Sequence, residues 1–164
     1  MKRTGLSKQK DNMSEFRQIL DRAAHLCSTS ERCQNDVRIK MISWGLKEED
    51  ADKAIKYLNE NHFIDDRRYA TYFVRDKLKF NKWGRIKIKY ALRQKKVDTS
   101  IIEDSISQID TEIYNDILDK ILLSKIKSVG PPDTAQNKSK LLRYAAQKGF
   151  TASEIFDSLS RINC

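Results

Sequence analysis

The stretch IKYALRQKKVDTSIIEDSISQI at residues 88–109 decides the fold, because its pattern of apolar residues occurs three times in the chain. The other copies are VRIKMISWGLKEEDADKAIKYL at residues 37–58 and LLRYAAQKGFTASEIFDSLSRI at residues 141–162, which gives a period of about 50 residues. Apolar residues spaced by three and four lie on one face of a helix, and a repeat of this length is typical of helical arrays. The pattern therefore predicts a helical repeat protein.

Each copy contains two helices separated by a short break. Two aligned apolar columns fall on the first helix, one falls at the break, and three fall on the second helix. We predict that every column is a core position of its copy. The columns are Val37, Ile88 and Leu141; Met41, Leu92 and Ala145; Leu46, Val97 and Phe150; Ala51, Ile102 and Ile155; Ile55, Ile106 and Leu159; and Leu58, Ile109 and Ile162.

A further helical run precedes each copy, at residues 15–27, 66–80 and 111–127. The repeating unit is therefore three helices, and Gly and Pro are scarce, at 5 and 2 residues, as helices require. We predict an all-α protein of three tandem three-helix modules. The boundaries that we predict are a disordered basic tail at 1–13 and helical modules at 14–64, 65–109 and 110–164.

One segment also fits a different structure. Apolar and basic residues alternate at 86–90, which is typical of a half-buried strand. We still predict a helix there, because the equivalent segments of the other modules have helical spacing.

Targeting, disulfide and metal patterns are missing from the chain. No stretch approaches the roughly 20 apolar residues of a membrane span, and the polar N-terminus lacks the apolar run of a signal peptide, so we expect a cytoplasmic protein without a membrane partner. Cys27, Cys33 and Cys164 are too few for a disulfide framework. His25 and His62 could join the first two cysteines around zinc, but the spacing matches no common site, so we predict no metal and no other cofactor.

Positive charge is concentrated in the middle of the chain. The whole chain has 32 Lys and Arg against 23 Asp and Glu, a formal net charge of +9. Residues 67–96 hold twelve of those basic residues and one acid, Asp76, so the entire positive excess lies in this stretch. The concentration favours a polyanionic partner, although a solvated face selected for solubility has the same composition.

Helical spacing gathers these cations into two stripes. Arg68, Arg75 and Lys79 share a helix face with Tyr72, and Arg85 begins a second stripe on the next helix. Among the neighbouring aromatics, Tyr69, Phe73 and Phe80 have core spacing, whereas Tyr72 and Trp83 are candidates for stacking on bases. The predicted contact residues are Arg67, Arg68, Tyr72, Arg75, Lys79, Lys82, Trp83, Arg85, Lys89, Arg93 and Lys96.

Motifs of catalysis are missing. There is no Gly-rich phosphate loop, nucleophile elbow or paired-His zinc helix, so we predict no catalytic residues and no enzyme activity. Asp65 and Asp66 directly precede a predicted helix, where negative charge favours the exposed amides. We predict that this pair caps helices and does not act in catalysis.

Segments of the middle module resemble the RecX family of bacterial regulatory proteins. FIDDRRYATYFVR at 63–75 resembles the family's signature, an apolar-Asp-Asp entry followed by an aromatic-Ala pair and a basic helix. KWGRIK at 82–87 and LRQKKV at 92–97 resemble its second conserved segment. The resemblance extends over residues 14–162 through the repeat, but Lys96 stands where the family commonly has Gly.

The resemblance implies a curved, elongated, right-handed-type helical repeat array that lies in the groove of the RecA–DNA filament. It implies a monomeric regulator of homologous recombination, DNA repair and the SOS response, which restrains filament growth, ATP hydrolysis and strand exchange. The implied partners are the RecA filament and single- or double-stranded DNA, bound weakly or through the filament. The resemblance leaves open whether the basic face contacts DNA, RecA or both. It also leaves open whether the protein caps the ends of the filament or binds in its groove. The alternative is a sequence-independent DNA- or RNA-binding helical protein that does not act on RecA.

Overall fold

The computed structural model describes residues 5–163, and the regular secondary structure of this range is entirely helical, which confirms the all-α prediction. The segment 86–90 is helical, so the strand alternative is wrong. Within the described range, no helix is long and apolar enough to cross a membrane. The nine helices of this range are α1 (Gly5–Thr29), α2 (Gln34–Ser43), α3 (Glu48–Glu60), α4 (Asp66–Lys79), α5 (Arg85–Gln94), α6 (Thr99–Ser107), α7 (Thr111–Val129), α8 (Ala135–Gln147) and α9 (Ala152–Ile162).

The chain forms two compact units, Met1–Tyr69 and Ala70–Cys164, and the boundary between them falls inside α4. In the first unit, α1 packs against both α2 and α3. In the second, α5 packs against α6, and α7 packs against both α8 and α9. The division into three modules at 14–64, 65–109 and 110–164 remains a proposal that rests on the sequence repeat.

Helix α1 begins earlier than predicted. The prediction of a disordered tail is wrong for residues 5–13, which are helical, and its residues 1–4 lie outside the described part of the chain. Side chains 8–13 are exposed, so packing does not cause this helix. Lys, Gln and Met favour helix, and lengthening a helix that is already packed downstream needs no new nucleation.

Most of the aligned apolar columns are buried, but one buried column was not predicted. Ile55, Ile109 and Ile162 are only partly buried, whereas small residues at one aligned position within α3, α6 and α9 are buried: Ala54, Ser105 and Ser158. Both serine hydroxyls donate hydrogen bonds, one to the Ile101 carbonyl at 2.8 Å and one to a carboxylate oxygen of Asp119. These bonds allow polar side chains to occupy the core.

The turn that follows the first helix of each copy uses a left-handed backbone conformation. Gly45 and Gly149 have φ values of 108° and 99°, and Lys96 at the aligned position has a φ of 56°. A residue with a Cβ in this conformation costs about 1–2 kcal/mol, which glycine avoids. Lys96 therefore stands at a strained backbone position.

Gly149 also lies directly against the start of α5. The Gly84 amide donates to the Lys148 carbonyl at 2.7 Å, and the Ile86 amide donates to the Gly149 carbonyl at 3.1 Å. A Cβ on Gly84 would lie 2.3 Å from the Gly149 oxygen, and a Cβ on Gly149 would lie 2.5 Å from the Cβ of Lys87. Because neither position has room for a side chain, contact between backbones holds α5 against the turn between α8 and α9.

Substitutions at the left-handed position separate backbone strain from steric clash. Lys96→Gly should raise the free energy of unfolding by about 1 kcal/mol, because it relieves the strain. Gly45→Ala should lower it by about 1–2 kcal/mol through strain alone, since the nearest atom to the new Cβ lies 3.7 Å away. Gly149→Ala should cost clearly more, because it adds the clash with α5. Urea unfolding measured by circular dichroism compares the three, and equal losses for the two alanine variants would contradict the close approach.

Candidate functional site

Asp65 caps the helix that opens the basic segment. Its Oδ1 accepts hydrogen bonds from the Arg67 amide at 2.8 Å and from the Arg68 amide at 3.1 Å. Two of the amides left exposed at the start of α4 are thereby satisfied, and the carboxylate lies at the positive end of the helix dipole. Asp65 thus determines where the basic helix begins.

Asp66 binds a different helix. Its Oδ1 accepts from the amide of Gln34, the first residue of α2, at 2.9 Å, and Cys33 in front of α2 provides no side-chain cap. Burial raises the pKa of the Asp66 carboxyl, and the bond from Gln34 partly offsets this effect. The two adjacent carboxylates therefore diverge, with one at the start of α4 and the other at the start of α2.

Arg68 is engaged within the first unit. Its Nε donates to Glu31 Oε1 at 2.5 Å, and the two side chains are 37% and 31% exposed. Because this carboxylate compensates the guanidinium, Arg68 offers a partner less charge than its place on the stripe suggests. Arg67 beside it is exposed.

In the second unit, the predicted contact residues Tyr72, Arg75 and Lys79 are exposed on α4. The Arg75 guanidinium lies 5.9 Å from the centroid of the Tyr72 ring, and Lys79 Nζ lies 5.4 Å from that of Phe80. Neither cation is paired with a carboxylate among the described residues. Cations beside accessible aromatic rings can hold phosphates and stack on bases, or meet an acidic protein surface.

Within the basic segment at residues 67–96, all of which the structure describes, two exposed aromatic side chains were not predicted as contacts. Phe80 is 71% exposed and Tyr90 is 62% exposed. The core prediction for Phe80 is wrong, because α4 ends at Lys79 and the helical period does not continue to the next residue. Both rings add to the aromatic surface of the basic segment.

Trp83 already takes part in contacts within the protein. It is half-buried, with Lys77 Nζ 5.0 Å and Lys87 Nζ 4.8 Å from its ring centroid. Lys82, with a φ of 57°, donates from Nζ to the Lys79 carbonyl at 2.5 Å and so satisfies an acceptor at the end of α4. Trp83 is therefore less accessible to a base than Tyr72.

Arg85 points into the second unit. Its Nη1 donates to Glu154 Oε1 at 3.0 Å, and its guanidinium lies 3.8 Å from the centroid of the Tyr114 ring. Glu154 Oε2 accepts from the Tyr114 hydroxyl at 3.2 Å and from the Thr151 amide at 2.8 Å. Burial raises the pKa of Tyr114, so the phenol keeps its proton and donates. We call these three side chains, Arg85, Tyr114 and Glu154, the Arg85 cluster.

Sequence patterns indicated only part of this cluster. Tyr114 and Glu154 were not predicted, because no local spacing relates residues on α5, α7 and α9. The one local signal is the capping box, in which Thr151 and Glu154 exchange hydrogen bonds at the start of α9. The cluster gives Arg85 a role inside the protein.

The other cations of the predicted α5 stripe also differ in whether they pair with a carboxylate of the protein. Lys89 Nζ donates to Glu103 Oε2 at 2.8 Å, with the Lys89 side chain 27% exposed. Arg93 and Lys96 are exposed and form no ion pair with a carboxylate in the described range. The outward cations of α5 and the turn after it are therefore Arg93 and Lys96.

Cysteines and histidines do not converge in the described part of the chain. No three His, Cys, Asp or Glu side chains of residues 5–163 lie where they could hold a metal ion. Cys33 is buried, which raises the pKa of its thiol to about 11, and Cys27 is half-buried. Cys164 lies outside the described residues.

The segment that contains α4, α5 and most of α6 is similar to a known protein family. Residues 65–106 match a family model described as RecX, second three-helix domain. The Regulatory protein RecX of Clostridium perfringens is 31% identical over 138 residues, which cover 83% of this chain and 64% of that protein. The Regulatory protein RecX of Clostridium acetobutylicum is 28% identical over 145 residues, covering 86% and 67%. The chain belongs to the RecX family.

The fold agrees with that of a solved RecX structure. The crystal structure of RecX from Lactobacillus salivarius superposes with a TM-score of 0.84, covering 92% of this chain and 98% of that one at 19% identity. The chain spans no more than about two thirds of the length of the clostridial RecX proteins that it matches. All eleven predicted contact residues, together with Asp65 and Asp66, fall inside the segment that matches the RecX model.

The structural role of the Arg85 cluster can be tested by removing the acceptor of its hydrogen bonds. Glu154→Ala should lower the free energy of unfolding by about 2–3 kcal/mol, because it deprives Arg85, the Tyr114 hydroxyl and the Thr151 amide of their partner. Glu103→Ala removes the more exposed partner of Lys89 and should cost less than about 1 kcal/mol. Thermal and urea unfolding compare the variants, and equal costs would show that the cluster is no stronger than a surface ion pair.

Proposed function

We propose that this protein is a non-enzymatic regulator that binds the RecA–DNA filament and restrains its extension, its ATP hydrolysis and its strand exchange. It would act as a monomer in the cytoplasm and modulate homologous recombination, DNA repair and the SOS response. The family supports this proposal, since the relatives are named Regulatory protein RecX. At the level of residues, the proposal rests on a cationic surface in the segment that matches the RecX model. The cations of this surface have no carboxylate partner among the described residues.

Five cations make up this surface, which we call the outward cations. They are exposed or half-buried and have no carboxylate partner in the described residues. A filament offers DNA phosphates and carboxylates, and each phosphate that a cation neutralises releases counterions, which adds about 0.7–0.9 to the slope of log affinity against log salt. The outward cations are Arg75, Lys79, Lys82, Arg93 and Lys96.

Other members of the predicted stripes contribute less to binding in this proposal. Arg85 is held by Glu154 and stacked on Tyr114, and Lys89 is held by Glu103. A phosphate could reach these cations only by breaking an existing ion pair, which offsets the gain. We therefore propose a narrower contact surface than the two stripes, with Tyr72 as its aromatic member.

The proposed function predicts that the purified protein lowers RecA-catalysed, DNA-dependent ATP hydrolysis at ratios up to about one protein per RecA monomer. The double reversal Arg75→Glu/Lys79→Glu should weaken the inhibition at least about tenfold and reduce its salt dependence, because two phosphate or carboxylate contacts are lost. Helicity and thermal stability should not change, since both side chains are exposed. A coupled ATPase assay at several salt concentrations measures both effects.

A matched control changes the same net charge elsewhere in the second unit. Lys138 and Lys140 are exposed on α8 and have no ion-pair partner in the described range, so Lys138→Glu/Lys140→Glu should leave inhibition nearly unchanged. Equal losses for the two double variants would show that overall charge, and not the outward cations, drives inhibition. If inhibition survives both reversals, the protein still regulates RecA, but the outward cations are excluded as its contact surface.

The second candidate is a sequence-independent DNA- or RNA-binding protein that does not act on RecA. The exposed rings of Tyr72 and Phe80 beside Arg75 and Lys79 favour it, because single-strand binders combine cations with stacking platforms. Tight binding to bare single-stranded DNA at physiological salt, with RecA activity untouched at saturating protein, would decide for this candidate.

A further inference from the structure

A groove opens in the second unit between α4, α6 and the start of α7. It encloses a cavity of about 510 Å³, within the range of known ligand pockets. Five apolar side chains contribute to its lining, from α4, from the turn after α6, and from α7. They are Val74, Leu78, Ile109, Ile113 and Ile117.

The groove exists because α4 is packed less closely than its counterparts. Helix α1 lies close against both α2 and α3, and α7 against both α8 and α9, whereas α4 makes no comparably close packing with another described helix. Protein interiors are normally filled to the density of organic crystals. Ile113 is 58% exposed at the mouth of this groove, so apolar surface is left available there.

Charge at the rim of the groove is unbalanced. Arg75 and Lys79 line it, and neither is paired with a carboxylate in the described residues. Among the described residues, Asp110 is the one acid in the lining, and its Oδ1 already accepts a hydrogen bond from the Ile113 amide as the cap of α7. The rim is therefore suited to an anionic occupant and the floor to an apolar one.

We propose that this groove binds an acidic segment of a partner protein, which inserts a large apolar side chain between α4 and α7 while its carboxylates meet Arg75 and Lys79. Protein segments carry both features together, in the way that amphipathic segments fill apolar grooves. A nucleic acid would also bring phosphates to the rim, but its bases carry ring nitrogens and carbonyl groups, which find no hydrogen-bond partner on the valine, leucine and isoleucine side chains of the floor. The proposal goes beyond RecA inhibition, since it needs neither RecA nor DNA.

A fluorescein-labelled peptide with a central Phe-Leu pair flanked by Glu and Asp is a suitable probe for the full chain. Fluorescence anisotropy should show saturable binding, and replacing Phe-Leu by Ser-Ser should weaken binding at least about tenfold, because burial of the apolar anchor is lost. Equal affinity for both peptides would overturn the proposal, since it would reveal only attraction between an acidic peptide and a basic protein.

Substitutions then test whether the Phe-Leu peptide binds in the groove. Ile113→Glu places a carboxylate at the mouth of the groove and should weaken binding of the Phe-Leu peptide at least about tenfold. Ile86→Glu is the matched control, because Ile86 is an exposed isoleucine of the same unit at 53% exposure and lies outside the groove lining. It should change binding by less than about twofold. Equal effects of the two variants would overturn the proposal.

A measurement on the unmutated protein avoids any question of folding. In a sample with labelled isoleucine methyl groups, the Phe-Leu peptide should shift the resonances of Ile109, Ile113 and Ile117 and leave those of Ile39 and Ile86 in place. Shifts confined to other isoleucines would overturn the groove assignment. Because no RecA is present, a failure here is distinct from a failure to inhibit RecA.

Discussion

In the second unit, the backbone at the start of α5 lies directly against the turn between α8 and α9, since Gly84 and Gly149 leave no room for a side chain of their own. Two backbone hydrogen bonds join the segments, to the carbonyls of Lys148 and Gly149. This close contact brings Arg85 to Glu154, and a cation partly withdrawn from water needs such a partner. Arg85 is thereby used within the fold.

The same contact determines which cations of α5 face outwards. Because Arg85 turns inwards and Lys89 pairs with Glu103, Arg93 is the member of that helix stripe without a carboxylate partner among the described residues. A stripe drawn from helical spacing treats these side chains as equivalent, since they share a face. Their neighbours make them different, because an ion pair within the fold competes with any contact to a partner.

Helix α4 combines two chemical environments on one element. Hydrogen bonds hold its first turn in the first unit: Asp65 accepts from the Arg67 and Arg68 amides, and Asp66 accepts from the Gln34 amide. Its later turns border the groove of the second unit, where Arg75 and Lys79 stand beside apolar walls. Phosphates would use the cations alone, whereas an acidic apolar segment would use the cations and the walls together.

The sequence by itself determined the helical class, most of the core columns and the concentration of charge, because helical periodicity and net charge are local properties of the chain. It also indicated the capping at Asp65, which depends on a few neighbouring residues. Only the tertiary structure decided that Arg85 is compensated and that α4 borders a groove. Those facts depend on residues far apart in the chain, such as Glu154 for Arg85 and Ile113 for α4, and no local spacing encodes which distant side chain will be the neighbour.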